Sequence, residues 1–372
     1  MSHCMFLTSA TQKIRETAVD SPGRFRGTLP NRDKSGRYRP SVFPTLALSL
    51  LAVLVTLAMM EAAVRVCAAV MGDQPAMILD GTLGWKLRPN INRVYTREER
   101  PYWIQTNSRG HRDKEYSDEK PAHRTRLIVL GDSFVFGSGG VDSAETFTKR
   151  LEDSDHRLQA INLGVPGYST DQELLLLQSE GLRYHPDIVI LCVYWNDFRG
   201  TFESWDEGVR LPKGYFTSSG TALQYQPPRI SWLSFGSRWS YAAHLLVQRY
   251  RRSARGWDWQ PAPNLKLEER EQVFTSLLTE MNRACQRVGA RFVVVYIPRK
   301  TQPYHSPFQD VIALASTSHG FTTLDLTETL READRNQPVY FNKDIHLNPR
   351  GHRIVADALR ELISTDVATA AR

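Results

Sequence analysis

Arg126-Leu127-Ile128-Val129-Leu130-Gly131-Asp132-Ser133-Phe134 is an apolar run that stops on a glycine, an acid and a hydroxyl. Four aliphatic residues closed by a turn residue fit a strand buried on both faces. The same grammar recurs along the chain. Ala160-Ile161-Asn162-Leu163 stops at Gly164, and Ile188 to Tyr194 stops at Trp195-Asn196-Asp197. Arg291 to Ile297 is closed by Pro298, and Thr322 to Leu326 is a shorter fifth run. Segments of helical period lie between them. Thr170 to Tyr184 reads as a helix with Thr170 as N-cap and Glu173 completing a capping box. Leu265 to Val288 is a long one stopped by Gly289, and the last begins at Asn348-Pro349 and runs to about Ile363. The alternation predicts a mostly parallel sheet covered by helices on both faces. Ser133, Gly164 and Asn196 then fall at the C-terminal ends of successive strands, the edge where open α/β sheets bind ligands.

Ahead of this domain stands Ser41 to Met60, SVFPTLALSLLAVLVTLAMM, without one charged residue. Twenty helical residues span about the 30 Å of a bilayer core. Residues 1–40 carry eight Lys or Arg against Glu16, Asp20 and Asp33, which is +5 of the chain's formal +7. The basic excess therefore belongs to the tail, and no basic face remains for a nucleic acid. Positive charge before the span predicts a cytoplasmic tail at 1–40, a transmembrane helix at 41–60 and an outer C-terminal domain. An uncleaved signal anchor fits better than a cleavable signal, for which both segments are long. Glu61 and Arg65 predict an i,i+4 pair as the helix leaves the span. Residues 61–120 read as that helix plus a connector, packed on the outer domain because Trp85, Tyr95, Tyr102 and Trp103 need burial.

Residues 198–264 break the alternation and concentrate aromatic side chains, among them Trp205, Trp232, Trp257 and Trp259. Two readings stay open, a satellite core under a long loop or a lid and stacking wall for substrate. The cysteines Cys4, Cys67, Cys192 and Cys285 have no C-x-x-C spacing, and Cys192 reads as a small core hydrophobe. No phosphate-binding glycine loop and no paired metal-ligand histidines occur in the sequence, so neither a metal nor a cofactor is expected.

Gly131-Asp132-Ser133-Phe134, Gly164, Asn196-Asp197 and Asp344-Ile345-His346, in this order, resemble the SGNH (GDSL-type) hydrolase family over roughly residues 125–365. The resemblance implies a three-layer, flavodoxin-like sheet in a domain over 121–368. Ser133 would be the nucleophile, His346 its base and Asp344 the acid that orients the imidazole, since a serine hydroxyl needs a base within reach. The oxyanion hole would come from the N–H groups of Ser133 and Gly164 and the Asn196 amide. Asp132, Tyr194, Trp195, Asp197, Trp205 and Trp232 are further candidates for substrate contact. Two features depart from the family pattern. One residue separates Asp344 from His346 where two are usual, which resembles the alginate-type O-acetyltransferase branch, and Tyr194 stands where a glycine is usual, narrowing the pocket. The expected activity is removal of O-acyl groups from an extracytoplasmic glycan or lipid. The alternatives are O-acyl transfer to a cell-surface or exopolysaccharide sugar, or a non-catalytic glycan-binding or assembly subunit. The partners expected are the membrane, an acylated glycan or lipid, and polysaccharide-assembly proteins.

Overall fold

The computed structural model describes residues 42–71, 76–96, 98–219, 222–237, 239–253, 258, 261, 264–301 and 305–370. The basic tail at 1–40, Trp257 and Trp259 lie outside them. The chain divides into two units, Met1–Met59 and Met60–Arg372. In the first, helix α1 (Val42–Met71) begins as an apolar rod whose side chains Phe43, Leu46, Leu50 and Leu57 are exposed. One stretch of α1, Phe43–Ala68, is long and apolar enough to cross a membrane, and its most apolar part is not buried in protein, although Ala68 at its end is. A core helix of a soluble domain would bury one face, and this one does not.

The second unit is built on five strands: β1 (Thr125–Leu130), β2 (Leu158–Asn162), β3 (Ile188–Val193), β4 (Arg291–Tyr296) and β5 (Thr322–Asp325). All pairings are parallel and the order is β2-β1-β3-β4-β5, the doubly wound, flavodoxin-like arrangement. Alternation divides the side chains. Ile128, Leu130, Val189, Leu191 and Val294 enter one apolar cluster, with residues of α4 (Thr170–Ser179), α8 (Leu267–Arg287) and α9 (Pro307–His319). Leu127, Val129, Ile190, Cys192 and Val293 enter the other, with α2 (Ser133–Phe136), α3 (Phe147–Ser154), α10 (Thr327–Asn336) and α11 (Pro349–Ala370). Strands β1, β3 and β4 are therefore continuous apolar runs, since both faces are covered, whereas the edge strand β5 is partly exposed.

Several local readings change. Thr170 is the first helical residue of α4, with Ser169 at the N-cap and no capping hydrogen bond from its side chain. Glu173 does not close a capping box on Ser169: it is fully buried, and among the described residues neither of its oxygens has a partner of good hydrogen-bond geometry. Its i+3 spacing imitates a cap, but that face of α4 turns inward. Asn348 does cap α11, accepting the N–H groups of Arg350 and Gly351 at 2.9 and 3.0 Å. In the connector, hairpins Met77–Asp80/Gly84–Leu87 and Asn92–Tyr95/Tyr102–Gln105 bury Trp85 and Tyr102. Trp103 stays about half exposed, its indole N–H donating to Asn92 at 2.7 Å.

The segment 198–264 is not one kind of object. Helix α5 (Trp195–Gly200) is followed by a short ribbon, Trp205–Asp206 with Leu211–Pro212, and a hairpin, Tyr215–Ser219 with Ala222–Gln226. Phe202 and Phe216 join the main apolar cluster, so this first part extends the domain core and is not a separate satellite. Lys213 fixes it to α4 through a buried ion pair with Asp171 at 2.8 Å. The second part, α6 (Trp232–Gly236) and α7 (Tyr241–Ser253), pack on each other and expose apolar side chains.

Candidate active site

Strand β1 ends at Leu130 and α2 starts at Ser133, so the Gly131-Asp132 turn presents Ser133 at the strand's C-terminal edge. The Asp132 carboxylate accepts the Phe134 N–H at 2.9 Å and so fixes the first turn of α2. Ser133 itself is half-buried. His346 arrives from the other end of the sequence, on a loop closed by a Tyr340–Leu347 bridge and by the Phe341 N–H donating to the His346 carbonyl at 3.0 Å. Its Nε2 is 2.7 Å from Ser133 Oγ, and its Nδ1 contacts Asp344 Oδ1. A carboxylate only accepts, so Nδ1 carries the proton and Nε2 is left to receive that of the serine. The hydrogen bond from His346 holds the Asp344 carboxyl below its usual range. One intervening residue is thus enough for Asp344 to reach the ring.

Two contacts that the sequence reading missed hold this loop. Glu99, from the connector, accepts the N–H groups of Asn342 and Lys343 at 3.1 and 2.6 Å. Lys300, beyond β4, donates to the carbonyls of Phe341 and Asn342 at 2.5 and 2.8 Å. Neither residue belongs to a motif. Their only signal is charge placed next to a loop that is distant in sequence.

Gly164 needs correction as an oxyanion donor. Its N–H donates to the Asn162 side chain at 2.9 Å, and it is buried. A Cβ there would sit 2.3 Å from the Phe136 nitrogen, so glycine is required for close approach of the β2 loop to α2. Gly167, in the same loop with φ +80°, is half-buried, and among the described residues its N–H has no hydrogen-bond partner. Asn196 donates through Nδ2 to Asp132 Oδ2 at 3.1 Å, which leaves one amide hydrogen uncommitted.

The other candidates separate by burial. Asp197 is fully buried and accepts the Tyr194 N–H at 2.5 Å, so it is a cap of α5 and not a substrate contact. The Tyr194 ring is buried against Phe134, centroids 4.2 Å apart, and burial pushes its hydroxyl up to about 12. It fills the wall behind the serine and does not line an open pocket. Trp205 is also buried, so it has no free face on which a sugar could stack. Trp195 is half-buried under the Arg299 guanidinium, 4.4 Å from the ring centre, and remains at the rim. Trp232 stands on α6, which packs on α7.

Behind the serine, Asp132, Glu173 and Asp197 are buried and mutually repelling, and burial raises all three carboxyls above the usual range. Asp171 is raised to about 6 by burial, against the pull of Lys213. Among the described residues no group of histidine, cysteine and carboxylate side chains could hold a metal ion.

The model of the GDSL-like lipase/acylhydrolase family matches residues 129–354, more than half of the chain. The chain belongs to this family. Membership makes it a serine ester hydrolase by class, and the match contains Ser133, Asn196 and His346. No curated protein sequence matches the chain. Among solved structures it is similar to a GDSL-like lipase from Bacteroides thetaiotaomicron (9% identity, 68% of this chain and 93% of that one, TM-score 0.39). It is also similar to a member of the lipolytic G-D-S-L family from Veillonella parvula (14%, 64% and 98%, TM-score 0.39). A third is the psychrotrophic esterase EstA from a Pseudoalteromonas species (14%, 66% and 99%, TM-score 0.38).

Proposed function

We propose that this GDSL-family chain is a membrane-anchored esterase whose domain faces away from the cytoplasm and removes O-acyl groups from a glycan or lipid. The observation that supports the chemistry is the 2.7 Å approach of His346 Nε2 to Ser133 Oγ, with Asp344 on the far side of the ring. Ser133 Oγ attacks the ester carbonyl while its proton passes to Nε2. Asp344 stabilises the imidazolium and keeps the ring oriented. The carbonyl oxygen becomes an oxyanion facing the Ser133 N–H and the uncommitted Asn196 hydrogen, with the Gly167 N–H in the neighbouring loop as a third donor. Collapse breaks the ester C–O bond, and His346 returns its proton to the leaving alkoxide. Water then repeats the sequence on the acyl-serine and regenerates the hydroxyl.

Two measurements test this reading. The full-length chain should hydrolyse an aryl acetate, and failure to do so would exclude the catalytic assignment. If an added sugar acceptor instead collects the acyl group as a new ester, the chain is a transferase using the same serine. For orientation, a reporter active only in the cytoplasm should be silent when fused at Arg372. Reporter activity would overturn the outward placement.

A further inference from the structure

The helix leaving the apolar span is hydrogen-bonded to the first turn of α7. Glu61 is the first charged residue after the span at 41–60. It accepts the Tyr241 N–H at 2.7 Å, the Ala242 N–H at 3.2 Å and the Ser240 hydroxyl at 2.9 Å. A carboxylate from another helix thus satisfies donors that the start of α7 cannot satisfy itself. Arg65 pairs with Glu61 at 2.6 Å and also donates to the Trp239 carbonyl. Since α6 packs on α7, both helices are tied to residues 61–65, just past the charge-free stretch 41–60.

These two helices and the turn between them expose apolar side chains. Trp232 is 82% exposed, Trp239 72% and Leu246 65%, and Phe235, Leu245 and Tyr250 are exposed with them. Val247 is buried, so α7 already packs an inner face, and Leu246 and Tyr250 lie one turn apart on another. The surfaces of soluble domains rarely gather tryptophan, phenylalanine and leucine in this way. The end of α7 reads Arg249-Tyr250-Arg251-Arg252. Tryptophan and leucine beside arginine make up the composition of helices that lie in a membrane interface, and tryptophan favours the headgroup level.

We propose that α6 and α7 form a foot that lies in the headgroup layer of the bilayer holding α1, inserting Trp232 and Trp239 and setting Arg249 against anionic lipid phosphates. The inference rests on α1 being a membrane span. Its partner is lipid rather than a protein, because the patch is bonded to the residues that follow the span and because its charge complements an anionic surface.

The test uses the full-length chain in phosphatidylcholine–phosphatidylglycerol vesicles, with bromine placed near the headgroup end of the acyl chains. The span at 41–60 contains no tryptophan, so bromine quenching reports the outer domain alone. Wild-type fluorescence should be quenched, and the quenched fraction should fall at least about twofold in the Trp232→Phe/Trp239→Phe double variant. Circular dichroism checks that the variant is folded. If the chain fails to float with the vesicles, the span reading fails and the foot with it. If it floats and quenching is absent or indifferent to the two substitutions, the foot alone is wrong. Self-association lost in the same double variant, without quenching, would give this face to a second copy of the chain.

Discussion

Ser133 Oγ and His346 Nε2 lie 2.7 Å apart although 213 positions separate the residues in the chain. The parallel sheet brings Ser133 to its C-terminal edge, and the loop before α11 carries the imidazole to the same place. Asp344 contacts the opposite ring nitrogen, the geometry that the proposed proton transfer from serine to imidazole requires.

Asp344 should matter less than its partners. Asp344→Asn keeps the loop geometry but can present an N–H to Nδ1 and favour the wrong tautomer. The expected loss in kcat is up to about 10⁴-fold, with KM nearly unchanged, measured on an aryl acetate. A larger rise in KM than fall in kcat would assign Asp344 to substrate binding.

Glu99 should act as a positioning residue. Its carboxylate accepts the backbone N–H groups of Asn342 and Lys343, and those residues carry the turn that aims His346. Glu99→Ala should lower kcat by about tenfold or more with little change in KM, since small displacements of a reacting group are costly. Glu99→Gln, which retains acceptor oxygen, should recover part of the loss. Equal loss in both variants would point to a purely structural role.

Glu173 should make stability fall as pH rises. Its carboxyl, like that of Asp197, is raised by burial, so the folded chain binds the proton more tightly than the unfolded chain. The associated stability is complete below about pH 4 and declines as pH rises toward the folded value. Glu173→Gln should therefore raise the Tm more at about pH 8 than at about pH 5. An increase confined to the acidic side would reverse the sign and refute the argument.

The Lys213 amino group donates to the buried Asp171 carboxylate at 2.8 Å. Lys213→Met leaves Asp171 buried without its partner and should destabilise by about 3 kcal/mol or more in urea unfolding. The companion change Lys213→Met/Asp171→Leu should recover much of that loss, because both charges are then gone. No recovery would mean that the lysine's bond to the Gly200 carbonyl, at 2.6 Å, dominates.

The strands were readable because the buried runs are short, continuous and apolar, and three of them stop at Gly131, Gly164 and Pro298. The meeting of Ser133 with His346, and of Asn196 with Asp132, was legible as proximity because these residues follow such runs or stand in a short acid–histidine block. What failed was anything decided by facing direction. Glu173 has the spacing of a cap but points into the core, and Gly164 follows a strand but its N–H is taken by Asn162. Trp205 and Trp232 are alike in composition, yet one is buried in a ribbon and the other exposed on α6. Glu99 and Lys300 were invisible because their role depends on contacts across the fold.

The identity of the nucleophile is tested most directly by intact-protein mass spectrometry after treatment with a fluorophosphonate. The wild-type chain should gain one phosphonyl group, located by peptide mapping on Ser133. Ser133→Ala, with an unchanged melting curve, should gain none and should have lost aryl acetate hydrolysis. An adduct on another residue, or wild-type turnover by Ser133→Ala, would contradict the account.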